Sequence, residues 1–401
     1  MNRLLDIFID EKTWPKAGKH PKFPSQFHTN LAKETLNIPA MLWMIGYLTT
    51  PTSSSGVSLS EFWAWIRYFS AITNDTDNKL RLTKSFANLD PHQKTILSDD
   101  FGMGVPMIWL MKSLSLNKIV DGKYFLEKYA ASLGAKGIKS KKRGPSKTPD
   151  FIARDKNGIW HIIECKGTQS GEKYSGAQLE NGIPQKKSII FPSKYTGQRL
   201  VCGLSIGIED KSTTTLKIID PEPDDPLKIS SENLDFAIDS IDRGTISKFL
   251  RISGLETSAD SIASPLGSSP NIIQGKSRTK EEKRLEFVEF RNLKATEELF
   301  NKKRSKKIFD KQFNGSERTF IFPRDFEING YPVNRINIKQ GINTEFIDKL
   351  SFNPTFDNLI QDEYSDMLNF LDSGKIIPSE LETTINFGEL FQAKLSLDYK
   401  K

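Results

Sequence analysis

The sequence predicts an α/β protein: a central mixed sheet flanked by helices, with a mostly helical region before it and a mixed α+β region after it. Three observations carry this expectation. Between Phe151 and Ile206, short β-type apolar runs stand on either side of a helical segment. Over residues 1–115, aromatic and aliphatic residues recur at helical spacing. Finally, 37% hydrophobic and 27% charged residues in 401 suit two or three domains with a sizeable core, and exclude a disordered polymer.

Taken in order, residues 1–115 read as the helical region. Leu42-Trp43-Met44-Ile45 with Tyr47, and Phe62-Trp63 with Trp65-Ile66 and Tyr68-Phe69, have helical spacing, and Ser58 with Glu61 has the form of a capping box. Four of the six tryptophans lie between Trp14 and Trp65, and that spacing favours core packing over base stacking. Residues 116–220 form the next unit. A helix is expected from Asp121 to Gly134, ending at its glycine. Strands follow at Phe151–Arg154 and Ile159–Cys165 around an Asn157-Gly158 turn, the strongest local hairpin signal in the chain. A helix near 177–188 and a strand over 199–206 complete the unit. Beyond the proline-punctuated boundary at 220–226, residues 221–401 mix strands and helices, with a Ser/Gly-rich loop over 253–279 and a helix over 280–301.

Charge and cysteine content narrow the function classes. The net charge of +7 is mild for the length and only permits a polyanionic partner. Its distribution says more, because Lys136, Lys139, Lys141, Lys142, Arg143 and Lys147 form a basic run without a single acid. A second run, Lys302 to Lys311, is broken only by Asp310. Two cysteines, Cys165 and Cys202, exclude a disulfide framework or a Cys-rich zinc site. The apolar stretch Ile38–Leu48 is about half a membrane span, and acids interrupt the amino terminus before a secretory core forms, so a cytoplasmic protein is expected. Neither GxxxxGK[ST] nor GxGxxG is present, so a motor would have to be a separate subunit.

The chemistry concentrates at Pro149-Asp150 and Glu164-Cys165-Lys166. In an antiparallel hairpin the start of the first strand lies beside the end of the second, which brings Asp150 near Glu164 and Lys166. Glu164 and Lys166, two apart, share a face, and Cys165 points to the other. Register decides the rest. A two-residue turn would put Asp150 opposite Cys165 with its side chain on the wrong face, whereas a three-residue turn or a bulge would put it opposite Glu164. Charges at the end of an apolar strand are costly to bury without a purpose. Apposed carboxylates repel when ionised, and Mg²⁺ relieves that repulsion. A structural ion-pair cluster is the bland alternative. His161 sits among apolar neighbours and is expected in the core or on the sheet.

The stretch Lys147-Thr-Pro-Asp-Phe-Ile-Ala153 with Ile162-Ile-Glu-Cys-Lys-Gly-Thr-Gln169 resembles the PD-(D/E)xK nuclease superfamily, which has the restriction-endonuclease-like fold. The resemblance covers about 90 residues. It implies Mg²⁺-dependent cleavage of nucleic-acid phosphodiesters, with Mn²⁺ as a substitute. Asp150 and Glu164 would be the metal-binding acids, and Lys166 would position or activate the water. It further implies an acid from the leading helix, for which Glu127 is the candidate, and a glutamine from the helix after the triplet, Gln178 or Gln185. The basic run carrying Lys139, Lys141, Lys142, Arg143 and Lys147 would grip backbone phosphates. Standalone chains of this kind resemble restriction or phage-defence components. DNA is the preferred substrate over RNA. The flanks would then serve recognition, homo-oligomerisation or a sensor partner. The rival readings are an RNase using the same site and an inactive nuclease-fold scaffold or nucleic-acid-binding subunit.

Overall fold

The computed structural model describes the chain except residues 17–20, 54–66, 75–76, 134–147, 187–188, 210–211, 221–226, 264–277, 302–305, 311, 329–330, 355–358, 369–370, 372–373 and 400–401. The basic run with Lys139, Lys141, Lys142, Arg143 and Lys147, and the Ser58–Glu61 capping box, therefore lie outside the described residues.

The elements run in order as β1 (Asn2–Ile9), β2 (Ala32–Asn37), α1 (Ile38–Thr49), α2 (Lys84–Ala87), α3 (Pro91–Ser113), β3 (Leu116–Asp121) and α4 (Gly122–Ser132). Then come β4 (Phe151–Asp155), β5 (Trp160–Thr168), α5 (Glu172–Lys186), β6 (Ile189–Ile190), β7 (Thr196–Ser205), β8 (Thr215–Ile219) and β9 (Leu227–Lys228). The remainder is α6 (Leu234–Ile252), α7 (Glu256–Ala263), α8 (Arg278–Phe300), β10 (Lys306–Ile308), β11 (Phe313–Ile328), β12 (Tyr331–Asn343), α9 (Thr344–Leu350), α10 (Ile360–Leu368), β13 (Lys375–Pro378), β14 (Glu382–Phe387) and β15 (Phe391–Asp398).

A seven-stranded mixed sheet has the order β2-β1-β8-β7-β5-β4-β3, and a six-stranded sheet has the order β10-β11-β12-β15-β14-β13. Strand β5 runs antiparallel to β4 and parallel to β7, with α5 as the crossover between the parallel pair. The mixed α/β expectation holds. The expectation of a mostly helical first region does not, because β1 and β2 belong to the central sheet and β1 pairs in parallel with β8. In β1, Leu5, Ile7 and Ile9 are buried by strict alternation, a period-2 signal set among acids. Nor is 115 a structural boundary. One apolar core holds Ile7 and Trp43 from the first region, Ile163 from the second, and Phe249 and Phe391 from the third. Of the four tryptophans expected in the core, Trp14 and Trp43 are buried and Trp63 and Trp65 lie outside the described residues.

Helix α6 links the two sheets. Fifteen of its residues are buried, including Asp239, Asp242, Arg243 and Lys248. Buried charges need partners, and they have them. Lys128 reaches Asp239 at 3.2 Å, Arg243 Nε meets Asp239 Oδ1 at 2.8 Å, and Lys118 pairs with Asp242. Among the described residues, no helix is long and apolar enough to cross a membrane.

Candidate active site

The β4–β5 hairpin sets the site. Phe151 pairs with Ile163, which continues to Asp150 opposite Glu164. The turn explains this register. Asp155 N–H donates to the Ile159 carbonyl at 2.9 Å and Gly158 N–H to the Asp155 carbonyl at 3.0 Å, enclosing the three residues Lys156–Gly158. Gly158 has φ +81°, the left-handed conformation such a turn demands of its last residue. Of the two registers open to the sequence, the hairpin adopts the one with all three polar groups on one face.

The acids lock each other through the backbone. Glu164 Oε2 accepts the Asp150 N–H at 3.1 Å, and Asp150 Oδ2 accepts the Cys165 N–H at 2.8 Å. The Lys166 ammonium contacts Glu164 Oε1 and lies 3.9 Å from Asp150 Oδ2. Glu164 is fully buried, whereas the Asp150 and Lys166 side chains keep 30% and 25% of their surface, so the cluster opens to solvent on one side.

Burial raises the Asp150 carboxyl above its ordinary range, against the pull of Lys166 and the Cys165 amide. Burial, followed by the Asp150 charge, pushes Glu164 up to about 7. For Lys166, burial acts downward but Asp150 and Glu164 outweigh it, leaving the amine above its usual value. Burial pushes the Cys165 thiol well up, and its side chain packs into the core. His161 is buried, and its Nδ1 accepts the Gln198 N–H at 3.1 Å.

Two helices flank the cluster. Helix α3 lies against β5 at van der Waals limits, where a Cβ on Gly102 would stand 2.5 Å from Gly167 N and one on Gly167 would stand 1.8 Å from the Ser98 carbonyl. Gln169 ties the same junction, donating to the Lys94 carbonyl at 3.2 Å and to Ser98 Oγ at 3.0 Å. This packing brings Asp99 to the cluster. Partial enclosure raises its carboxyl and Lys166 draws it down, while Asp99 in turn raises Asp150. Asp121, at the end of β3, also acts on Asp150. Glu127 is different. Both acids are exposed, Asp99 on α3 and Glu127 on α4, but the main charges acting on Asp150 include Asp99 and not Glu127. The helix whose acid acts on the cluster is α3, the helix before the one the sequence suggested, through the charge of Asp99. The signal for it was Asp99-Asp100-Phe-Gly102-Met-Gly104, small residues that permit a close helix–strand contact, with Gly167 directly after Lys166.

Helix α5 covers the other flank. A Cβ on Gly182 would stand 3.2 Å from Glu164 Cγ and 3.9 Å from Lys166 Cε. Gln178, one turn earlier, is half-buried, and its Oε1 has no hydrogen-bond partner among the described residues. Gln185 lies on the same helix, with its side chain outside the described set.

The donor set suits Mg²⁺. Two hard carboxylates stand together, each disfavoured as an anion by burial, and Mg²⁺ is commonly held by one or two carboxylates with water and phosphate completing its shell. Among the described residues, no group of three or more His, Cys, Asp or Glu stands close enough to hold a metal by itself. No family model, curated protein or solved structure matches the chain.

Proposed function

We propose that this chain is a Mg²⁺-dependent nuclease that hydrolyses phosphodiester bonds in DNA and acts in restriction or anti-phage defence. The observation that carries the reading is the register of β4 on β5, which sets Asp150 opposite Glu164 with Lys166 two residues on and on the same face. The order α4, β4, β5, α5, β7, with the two-residue β6 before β7, supports it further, as a helix, an antiparallel strand pair, a helix and a strand, and β3 joins the pair as a third antiparallel strand from before α4. That is the order the resemblance to the restriction-endonuclease-like fold leads one to expect.

In this reading Asp150 and Glu164 hold the metal, with Asp99 adding negative potential from α3. Bound Mg²⁺ would supply polarisation of a phosphoryl oxygen and acidify a coordinated water. Lys166 keeps its proton at neutral pH, because the two acids raise its affinity for it. It therefore stabilises charge gathering on the phosphate and does not act as a base. Gln178, one turn before Gly182 on the helix that covers Glu164, would orient a water through its carbonyl oxygen. The basic run from Lys136 to Lys147 enters Asp150 directly and would hold backbone phosphates.

The test is cleavage of plasmid, single-stranded DNA and RNA with Mg²⁺ or Mn²⁺ against EDTA. Asp150→Asn, Glu164→Gln and Lys166→Met should each lower the rate by at least about 10³-fold, the scale of a lost charge-stabilising group. Asp99→Asn should lower it about 10- to 100-fold, as a supporting group does, and Glu127→Gln should leave it unchanged. Wild-type rates in all three of the first variants would overturn the reading. Metal-dependent cutting of RNA alone would move the substrate.

A further inference from the structure

Helix α8 carries apolar side chains on two opposite sides, and only one of them is covered. On the covered side Ala295 and Leu299 are buried. There Glu298 accepts the Thr257 and Ser258 N–H groups at 3.2 and 2.8 Å and the Ser258 hydroxyl at 2.7 Å, and Arg291 Nη1 donates to the Asp260 carbonyl at 3.1 Å. These bonds to α7 fix how α8 is turned about its axis. Phe290, Leu293 and Phe300 consequently face away from the core, and they are 59%, 57% and 61% exposed.

The geometry of a helix makes those three one surface. At about 3.6 residues per turn, Phe290, Leu293 and Phe300 share a side, and Ala295 and Leu299 lie opposite. The row 290, 293, 297 and 300 advances by three, four and three residues, the spacing of a helix–helix packing seam. Leu285, also exposed, extends the apolar side toward the start of the helix. A surface helix ordinarily turns charged and polar residues to solvent. On α8 two phenylalanines and a leucine stand there instead.

Charge decides what fits this side. Glu286 and Glu289, one turn before Phe290 and Leu293, are exposed, and their carboxylates have no partner among the described residues. Lys294 is already engaged, since its ammonium pairs with Glu297 at 2.8 Å and lies 5.8 Å from the Phe290 ring centroid. Apart from Lys294 and Arg291, the basic residues of α8 are confined to its first two turns, before the apolar row begins. The row is therefore flanked by free negative charge. A second copy of this helix fits it poorly. With Phe290 of each copy against Leu293 of the other, Glu286 meets Glu297 twice, and the Lys294 that meets Glu289 is held by Glu297. Phosphates of nucleic acid or of anionic lipid are repelled by the same acids.

We infer that this side of α8 docks an amphipathic helix of a separate protein. The partner offers an apolar stripe to Phe290, Leu293 and Phe300, and Lys or Arg beside that stripe to Glu286 and Glu289. The inference stands on α8 alone and does not depend on the nuclease reading.

The experiment measures fluorescence anisotropy of two labelled synthetic peptides titrated with the full chain. Both are helices of about three heptads with leucine at the seam positions, one flanked by lysine and the other by glutamate. The lysine peptide should bind with a Kd on the order of 10 μM, at least about tenfold tighter than the glutamate peptide. Phe290→Ala with Leu293→Ala should weaken binding at least about tenfold while Tm is unchanged, because both side chains are exposed. Glu286→Lys with Glu289→Lys should reverse the preference between the peptides. Failure of both peptides to bind overturns the inference, as does equal binding of the two or wild-type binding in the alanine pair. Sedimentation of the chain alone as a dimer that the alanine pair dissociates would also overturn it and assign the surface to a second copy. Binding to phosphatidylserine vesicles that is lost in the alanine pair would overturn it in favour of a membrane surface.

Discussion

Asp150 and Glu164 hold their places because each accepts a backbone N–H from the other's strand, at 2.8 and 3.1 Å. Exchange of that kind orients a carboxylate without a dedicated side-chain partner, and leaves its second oxygen for Lys166 or a ligand. Asp100, beside Asp99 on α3, is set differently. It is buried and accepts from the Tyr68 hydroxyl, and burial, against that hydrogen bond, raises its carboxyl to about 6. A carboxyl raised above its unfolded value binds its proton more tightly in the native state. Stability then falls as pH climbs from about 4 to about 6 and stays lower above that window. Asp100→Asn should therefore stabilise the protein by on the order of 2 kcal/mol at pH 8 and by little at pH 4. Urea unfolding of both proteins at the two pH values checks this, and an equal effect at both would contradict it.

At the scale of elements, the contact of α3 with β5 is the joint on which the site depends. With Gly102 and Gly167 face to face, the helix axis comes close enough for Asp99 to act on Lys166. Gly167→Ala forces a methyl to within 1.8 Å of the Ser98 carbonyl, and relief requires the helix to back away. The expected cost is about 3 kcal/mol, with cleavage falling further than stability because Asp99 retreats with the helix. Urea midpoints alongside single-turnover rates would separate the two effects. A variant as stable and as active as wild type would show that the joint is not needed. A second joint is Lys248, fully buried on α6, which donates to the Tyr47 and Leu48 carbonyls at 3.3 and 3.2 Å and meets Asp121 at 3.2 Å. It closes the end of α1 and steadies β3 where that strand meets Asp150, whose carbonyl accepts the Gly122 N–H at 2.9 Å.

For the molecule as a whole, the core is continuous from β1 to β15, and the second sheet packs through α1 and α6 onto the first. Stacked rings mark that contact, with Phe249 on Phe391 at 4.3 Å and Tyr47 on Phe387 at 6.3 Å. A fragment of residues 116–220 keeps both active-site strands, but it loses β1 as partner for β8 and α6 as cover for Val120 and Ile152. It also loses α3 and with it Asp99. The fragment is expected not to fold, giving a far-UV spectrum of an unfolded chain and proteolysis at least about 10³-fold faster than in the full protein. A folded fragment that binds Mg²⁺ would show that the hairpin and its immediate neighbours suffice.

What was legible from residues alone was local. The Asn157-Gly158 turn, the two apolar runs beside it, and the spacing of Asp150, Glu164 and Lys166 lie within 17 consecutive residues. Turn chemistry and strand alternation act over that range, so hairpin and cluster could be read directly. The side-chain face of Asp150 was left open, because one residue more or less in the turn reverses it. Edge strand β2 was missed because Lys33 and Glu34 dilute its apolar signal, and β1 because its burial depends on β8, a partner about 200 residues away. Asp99 was missed because the glycines beside it permit a close helix–strand contact without saying which strand the helix meets. Sequence determines what a segment can form over a few turns of chain. Which helix faces a given strand is decided only when distant apolar faces find each other, and at this site the close approach of two glycines made that choice.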